Sequence, residues 1–506
     1  MKKPYLSLAI LLLPTLAHAE VLPESIDAAT ARRITLRDAV RIAVENSLSI
    51  VLRKESFAAT KESVPIAKGR FEPALKGMYL HTNTDEPPQT AQEGAAGQIL
   101  HSSSDGWNLG VTQQVPTGTT FELDYGNLRS SSSLGTAIAP IANRSIATLT
   151  LTQPLLKGFA FDMKVPYADV LRAELGTEQA RQDVLAQCIA TVRDTELAYW
   201  DVVLSLESYR VQKASRELAK EQLGLTQRQI DAGTLPPSDL ITAEATLAQR
   251  ELGLVQAESD IETAADVLRR VLNLPRSSWM QALLPQDAPR FDEAPTTFDA
   301  ALAHALKNRP ELKQRNIDVD RAKLDVTVAK ADRLPQVDAV LSYGLVGQRT
   351  SYSGALGQLT AADAPAWTAG VNFSWTPFNV AARAQLRSRE ASESLAHTSL
   401  DQQLLDLNIE LRLALRNVAT AVRAVRAAEK LRVLTERTLD AEQRKFMTGQ
   451  SSNFFIQQRQ NDLLQAQLSE LQALITHQKA TTGLRAAEGL LLEDEHIQLD
   501  VAKPKR

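Results

Sequence analysis

The chain has 506 residues, 23% of them charged, and a net charge of −4, so no basic excess points to nucleic acid as a partner. Hydrophobic residues make up 44% but aromatic ones only 5%, a balance that favours long helices over a thick core. The lone cysteine, Cys188, excludes an intrachain disulfide, and its neighbours Val184, Ile189 and Val192 suggest a packed thiol.

In chain order the first element is a targeting segment. MKKPYLSLAILLLPTLAHAE carries Lys2 and Lys3, an apolar run from Leu6 to Leu13 and the small-x-small triplet Ala17-His18-Ala19, which predicts a signal peptide over 1–19 and a mature start at Glu20. No cysteine follows that site, so no lipid anchor is expected. Beyond it nothing approaches the roughly 18 consecutive apolar residues of a membrane helix, and the exported chain is not expected to cross a membrane by helices.

Two stretches then repeat. LRDAVRIAVENSLSIVLRKESFAATKESVPIAKGRFEPAL, from Leu36, lies under FDAALAHALKNRPELKQRNIDVDRAKLDVTVAKADRLPQV, from Phe298, at a constant offset of 262 that pairs Ala39 with Ala301, Ala43 with Ala305, Asn46 with Asn308 and Pro73 with Pro335. IDAGTLPPSDLITAE (230–244) falls on FMTGQSSNFFIQQRQ (446–460) at an offset of 216, pairing Gly233 with Gly449. This is a duplication. The first copy carries 46 extra residues, and pairing Gln153-Pro154 with Thr376-Pro377 places 39 of them before its long helix and 7 within it, one heptad.

Between the first helix and the long helix of each copy lie strands. PAWTAGVNFSWTPF (365–378) alternates, with Trp367, Ala369, Val371, Phe373 and Trp375 on one face and Thr368, Gly370, Asn372 and Ser374 on the other. The nine-residue length matches a tilted membrane strand, and Trp107, Trp367 and Trp375 match the aromatic girdle of an outer-membrane barrel. Similar alternation at Trp107, Leu109 and Val111, at Phe121, Leu123 and Tyr125, and at Leu149 and Leu151 predicts strands near 73–81, 107–115, 119–127, 146–154, 336–346 and 366–376. Loops near 82–105, 129–145 and 347–364 are expected outside the membrane. Four to six strands cannot close a barrel, for which about eight is the minimum, and an open edge in lipid leaves backbone groups unpaired. Several chains must share one barrel.

The long helices follow. The 69 residues from Val380 to Thr448 contain neither Gly nor Pro, and after Gly449 another 33 such residues run from Gln450 to Thr482. Gly after a helix and Ser or Asn before the next are stop and start signals, so a helical hairpin turns at Gly449, and its twin at Gly233. The first arm of the second hairpin could reach roughly 100 Å. Leu404, Leu407, Leu411, Ala414, Val418, Val422 and Val425 step by threes and fours, as in coiled-coil packing.

This arrangement resembles the TolC-type outer membrane factors, the outer membrane efflux protein family. The resemblance covers about 34–492 through the two-copy layout, the QPLLKGF stretch at 153–159, the paired hairpin turns and VLNLP at 271–275. It implies a mixed α and β fold: a trimeric transmembrane β-barrel continued by a long α-helical, coiled-coil-like periplasmic tunnel built from two internal structural repeats. It also implies a homotrimer in outer membrane lipid, forming the exit duct of a tripartite efflux pump or type I secretion system. Its partners are then a periplasmic adaptor (membrane fusion) protein and an inner-membrane transporter of RND, ABC or MFS type. Carried over by position, the adaptor-contacting tips are Gly233 and Thr234, with Gly449 and Gln450. Family members close the channel at these tips, with acidic rings from the second hairpin; here those positions are Phe455 and Gln458, while the first hairpin has Ser238 and Asp239. A constriction combining Asp239 with Phe454 or Phe455 is expected, the alternative being that Asp239 caps its helix and the phenylalanines pack between hairpins. The extra strand pair near 107–127 departs from the four strands per chain of the family, and it either enlarges the barrel or forms an extracellular or folded-over hairpin.

The expected segments are the signal peptide 1–19; 20–72 with the first helix of repeat 1; barrel strands and loops 73–155; a helical hairpin 156–274 with its tip near 233; and an equatorial linker 275–297. Repeat 2 then supplies a first helix over 298–334, barrel strands over 335–377, a hairpin over 378–489 with its tip near 449, and a tail over 490–506. No HExxH, Cys cluster, GxSxG, P-loop or GxGxxG occurs, so no enzymatic activity, metal or cofactor is expected. Two other readings fit parts of the pattern: a periplasmic coiled-coil adaptor or scaffold without a barrel, which should lack Trp-ended strands, and a self-sufficient porin, which needs more strands and no long helices.

Overall fold

The computed structural model describes residues 31–87, 99–132, 141–159, 161–292 and 296–494. The expected signal peptide and most of the tail lie outside the described residues. The helices are α1 (Leu36–Asn46), α2 (Leu48–Lys61), α3 (Ser63–Lys68), α4 (Ala168–Asp231), α5 (Ser238–Leu272), α6 (Phe298–Asn308), α7 (Pro310–Asp332), α8 (Tyr352–Thr360), α9 (Val380–Met447), α10 (Asn453–Glu488) and α11 (Leu491–Asp494). The strands are β1 (Arg32–Ile34), β2 (Ala74–Glu86), β3 (Leu100–Gln114), β4 (Thr120–Ser132), β5 (Ile141–Pro154), β6 (Leu283–Pro285), β7 (Gln336–Arg349) and β8 (Pro365–Ser374). No described helix is long and apolar enough to cross a membrane.

Among the described residues the chain divides into two compact units, one drawn from 31–54, 184–310 and 405–494, the other from 55–183 and 311–404. In the first, Tyr199, Trp200, Val203 and Leu206 of α4 pack with Ala39 and Ala43 of α1, Leu268 and Leu272 of α5, and Leu283 and Leu284 of β6. Each large side chain buried this way contributes about 1.5–3 kcal/mol. β1 pairs in parallel with β6, Arg32 opposite Leu283, an element too short for its alternation to be read from sequence. The Tyr199 hydroxyl donates to Asp287 Oδ2 at 2.6 Å, and the same carboxylate accepts from the Leu36 amide at 2.7 Å, tying the start of α1 to the linker. Burial, and then the bond to Asp287, push the Tyr199 phenol up. Thr35 caps α1 and Thr297 caps α6 through the same side-chain bond to the amide three residues on, at the offset of 262. Each expected first helix is nevertheless broken: α1 stops before Ser47 and α6 before Arg309, each with a non-helical cap residue.

The second unit is built on one antiparallel sheet of six strands in the order β2-β3-β4-β5-β7-β8, open at β2 and β8. Three sequence expectations change here. The strands other than β8 are longer than expected, β2 running to Glu86, β3 starting at Leu100 and β5 at Ile141, because cross-strand pairing continues through polar residues that alternation alone assigns to loops. The region 347–364 is not simply loop, since it ends β7 and contains α8, capped by Ser351. The seven surplus residues of the first copy do not lie inside its long helix: α4 has 64 residues and α9 has 68. The extra chain is instead in the crossover 155–167, which is longer than its counterpart 375–379, and there Gly158 (φ 85°) takes the left-handed backbone that glycine adopts freely.

Candidate functional site: the sheet faces and the hairpin tips

Register settles which side chains share a face, because directly paired residues in an antiparallel sheet point the same way. The row Leu75–Val111–Leu123–Leu149–Tyr343–Trp367 crosses all six strands. The row Gly77–Leu109–Tyr125–Ala147–Leu345–Pro365 lies beside it on the same face. The opposite face carries Lys76, Asn108, Thr112, Glu122, Asp124, Thr148, Thr150, Asp338, Ser342, Thr368 and Asn372. One face is mainly apolar and the other mainly polar, although Met78, Leu80, Leu128 and Ile146 also lie on the second. Much of the apolar face is exposed in the single chain, with Leu75 at 77%, Trp367 at 74% and Phe373 at 66%, far more than a soluble sheet tolerates.

The aromatic residues are staggered along this face. Tyr79 pairs with Trp107, and Trp107 meets Tyr125 edge-on at 5.4 Å. Across the sheet, Tyr343 pairs with Trp367 four residues further from the strand ends that carry Tyr79 and Trp107. A drift of four residues over six strands is a slope of roughly 30°, near the tilt of membrane barrels. Trp375, the third expected girdle residue, stands one position past the end of β8 and is 57% exposed. The polar end of the apolar face, around Asn127, Ser145 and Asn143, is covered by α8. Asn127 donates to Ser145 at 2.9 Å and Asn143 to the Thr350 carbonyl at 3.0 Å, while Tyr352 reaches the Tyr125 hydroxyl at 3.1 Å. Gly347 allows the approach, since a Cβ there would overlap the Ala355 carbonyl.

The two tips share one geometry. Gly233 has φ 72° and Gly449 φ 74°. At the first tip the Gly233 amide donates to Ile230 O at 2.9 Å and the Thr234 amide to Gln229 O at 2.9 Å; at the second, Gly449 donates to Phe446 O at 3.0 Å and Gln450 to Lys445 O at 2.9 Å. This pair of bonds is a Schellman motif, which needs the left-handed conformation at the glycine. Gly233, Thr234, Gly449 and Gln450 are all exposed. At the second tip Ser451 donates to Glu442, and that bond, helped by Lys445, holds the Glu442 carboxyl below its usual range.

Of the expected gate residues, the structure joins Phe454 to Phe455, rings 5.6 Å apart and edge-on, and leaves them 62% and 47% exposed. Ser238 and Gln458 are exposed, and Asp239 is half-buried. Asp239 does not cap α5, whose N-cap position is Pro237 with no side-chain cap bond. Its carboxylate sits in the first turn, where the helix dipole favours it. The phenylalanines do not fill the space between hairpins in the single chain. Beside buried Ile456 and Leu464, α10 buries polar residues which the sequence reading missed. Asn453, Gln457 and Gln460 are buried on α10, and Asn453 meets buried Gln222 and Thr226 on α4. Gln222 Nε2 donates to Asn453 Oδ1 at 2.9 Å and Asn453 Nδ2 to Thr226 Oγ1 at 3.3 Å. Arg250 of α5 binds Asn461, and burial lowers its guanidinium's affinity for the proton. The signal was present: 453, 456, 457, 460 and 464 form a helical stripe whose apolar members are interrupted by amides.

Comparisons with known proteins fit this geometry. The outer membrane efflux protein family model matches residues 118–274 and 301–490. The outer membrane protein TolC of Escherichia coli is 23% identical over 72% of this chain and 73% of its own length. The proteases secretion protein PrtF of Dickeya chrysanthemi is 21% identical over 94% and 92%. The alkaline protease secretion protein AprF of Pseudomonas aeruginosa is 24% identical over 53% of this chain, which spans about half of that relative, 55% of its length. Among solved structures, the outer-membrane channel OprN superposes with a TM-score of 0.65 at 18% identity, covering 90% of this chain and 89% of that one. VceC of Vibrio cholerae gives 0.62 at 16% identity, covering 90% and 96%. The chain belongs to the outer membrane efflux protein family.

Proposed function

We propose that the chain is the outer-membrane exit duct of a tripartite efflux pump or type I secretion system. One observation carries this reading: a sheet with one apolar and one polar face ends in two unpaired edges, β2 and β8, which no strand in lipid can leave open. Copies of the chain close the wall edge to edge, three of them by the family resemblance. Exposed apolar rows on the helices support the same partner, with Leu405, Ile409 and Leu413 on α9 at 65%, 66% and 51% exposure and Leu252 and Val255 on α5 at 71% and 63%. The polar face then lines the bore, and the long hairpins continue it into the periplasm. Gly233, Thr234, Gly449 and Gln450 meet the adaptor; Asp239, Phe454 and Phe455 narrow the entrance. The duct does no chemistry, and energy comes from the inner-membrane transporter. Relatives named for protease secretion favour polypeptide cargo.

The test is mass measurement of detergent-purified protein together with single-channel recording in planar bilayers. A trimer with discrete conductance, altered in Asp239→Ala or Phe455→Ala, is expected. A stable monomer without conductance ends the proposal.

A further inference from the structure

The hairpin of β3 and β4 has no counterpart in the second repeat, and the structure gives it a place. It is inserted between β2 and β5, not folded over them. β3 pairs with β2 from Ala74–Thr112 to Glu86–Leu100, and β4 pairs with β5 from Thr120–Thr152 to Ser131–Ile141. Side chains are fitted across these ladders. A Cβ at Gly77 would lie 3.3 Å from Leu109, and one at Gly110 would overlap the carboxylate of Asp124, so each glycine makes room for the bulkier residue paired with it. The hairpin also keeps the two-faced pattern of its neighbours and carries Trp107 and Tyr125 of the aromatic row.

Its connections have the asymmetry of a membrane wall. β3 and β4 join through a tight turn in which Gly118 (φ 83°) donates to Val115 O at 2.8 Å, fastened to the end of β5 by Thr119 and Gln153. The longer connections, β2 to β3, β4 to β5 and β7 to β8, all leave from the other end. Short turns on one side and long loops on the other are the habit of outer-membrane barrels.

We infer that this hairpin is an added wall element that widens the outer-membrane pore, three copies of six strands closing an eighteen-stranded barrel. The inference rests on the trimeric duct reading. Six is even, so β8 of one copy meets β2 of the next antiparallel and the alternation continues around the ring. With strands about 4.8 Å apart and tilted by about 40°, eighteen of them enclose a backbone diameter of about 35 Å, against about 24 Å for twelve. Allowing about 5 Å of side chain on each wall, the free bore rises from about 14 to about 25 Å, roughly threefold in area. Such a bore passes two packed α-helices, each about 10–12 Å across, so the cargo the wall admits extends to polypeptides that retain helical structure.

Electron microscopy of the full-length protein in lipid nanodiscs tests this. A trimer about 35 Å across its barrel is expected, and deletion of residues 100–132 should narrow it about 1.5-fold, because the deletion joins two loops at the same end and lets β2 meet β5. A wild-type trimer of about 24 Å overturns the widening while leaving the duct reading intact. A particle with another copy number, or with no lumen, overturns the duct reading and the eighteen-strand wall with it. Should the deletion variant not assemble, single cysteines in the full chain decide. Asn108→Cys and Asp124→Cys should react with a membrane-impermeant maleimide, while Leu109→Cys and Leu123→Cys should be shielded by lipid. Equal reactivity at all four positions overturns the proposal.

Discussion

Gln222 on α4 donates its side-chain amide to Asn453 Oδ1 on α10 at 2.9 Å, with both side chains buried. This bond and its extension to Thr226 fasten the two helical hairpins near their tips. Removing one partner of a buried polar pair leaves the other without its bond, at about 1–3 kcal/mol. Asn453→Ala should therefore loosen the seam by that amount. Hydrogen exchange measured by mass spectrometry should show faster opening over 450–465, with the distant sheet unchanged. Unaltered exchange would show that the seam contributes nothing.

The second tip should respond to acid. Glu442 is held below its ordinary range chiefly by the Ser451 hydroxyl, so its folded value lies under its unfolded one. The stabilisation is thus fully present above the unfolded value of about 4.3 and disappears as pH falls through the depressed folded value. Protection of the 445–452 amides, corrected for intrinsic rates, should drop on acidification in that window. Glu442→Gln should abolish the dependence; its persistence in that variant would assign the effect to another group.

Cys188 is buried, and burial pushes its thiol up to about 11. Because the thiolate is the nucleophile, the native protein should be inert to maleimides at pH 7–8 and react stoichiometrically only when unfolded. Rapid labelling of the native protein would mean that α4 opens at this position.

Glu122 and Asp124 lie on the polar face of the added hairpin, with Asp124 opposite Gly110 and Thr148. If that face lines the bore, Asp124→Asn should lower cation preference in bilayer reversal potentials. The change should be clear at 0.1 M salt and small at 1 M, where the screening length falls from about 10 to about 3 Å. No change at low salt would place the residue away from the conduction path.

Gly347 lets α8 lie against the sheet and shelter Asn127 and Ser145 from the apolar surroundings of that face. Gly347→Val should displace α8, and protease nicking between 350 and 364 should rise while the oligomeric state stays that of the unaltered protein. α8 packs on β7 and β5, inside the edge strands β2 and β8, so loss of assembly instead would show that α8 also supports the neighbouring edge β8.

The tips were legible in the sequence because only a left-handed residue ends a helix in that motif, which makes Gly233 and Gly449 conspicuous. The seam was not, since buried amides such as Asn453 and Gln457 look like surface residues until a second helix covers them. The crossover 155–167 was misplaced for a related reason: a seven-residue surplus imitates a heptad, and only the observed start of α4 at Ala168 separates the two.

The faces of each strand were determined by sequence alone, because side-chain direction alternates along a strand whatever lies beside it. Trp367, Val371 and Phe373 share a side for that local reason. Which strands are neighbours was decided only by the tertiary structure, since ladder pairing joins residues as distant as Leu149 and Tyr343 through backbone groups that every residue possesses. The place of β3 and β4 within the sheet, the covering of Asn127 by α8, and the edges left at β2 and β8 all follow from those non-local bonds.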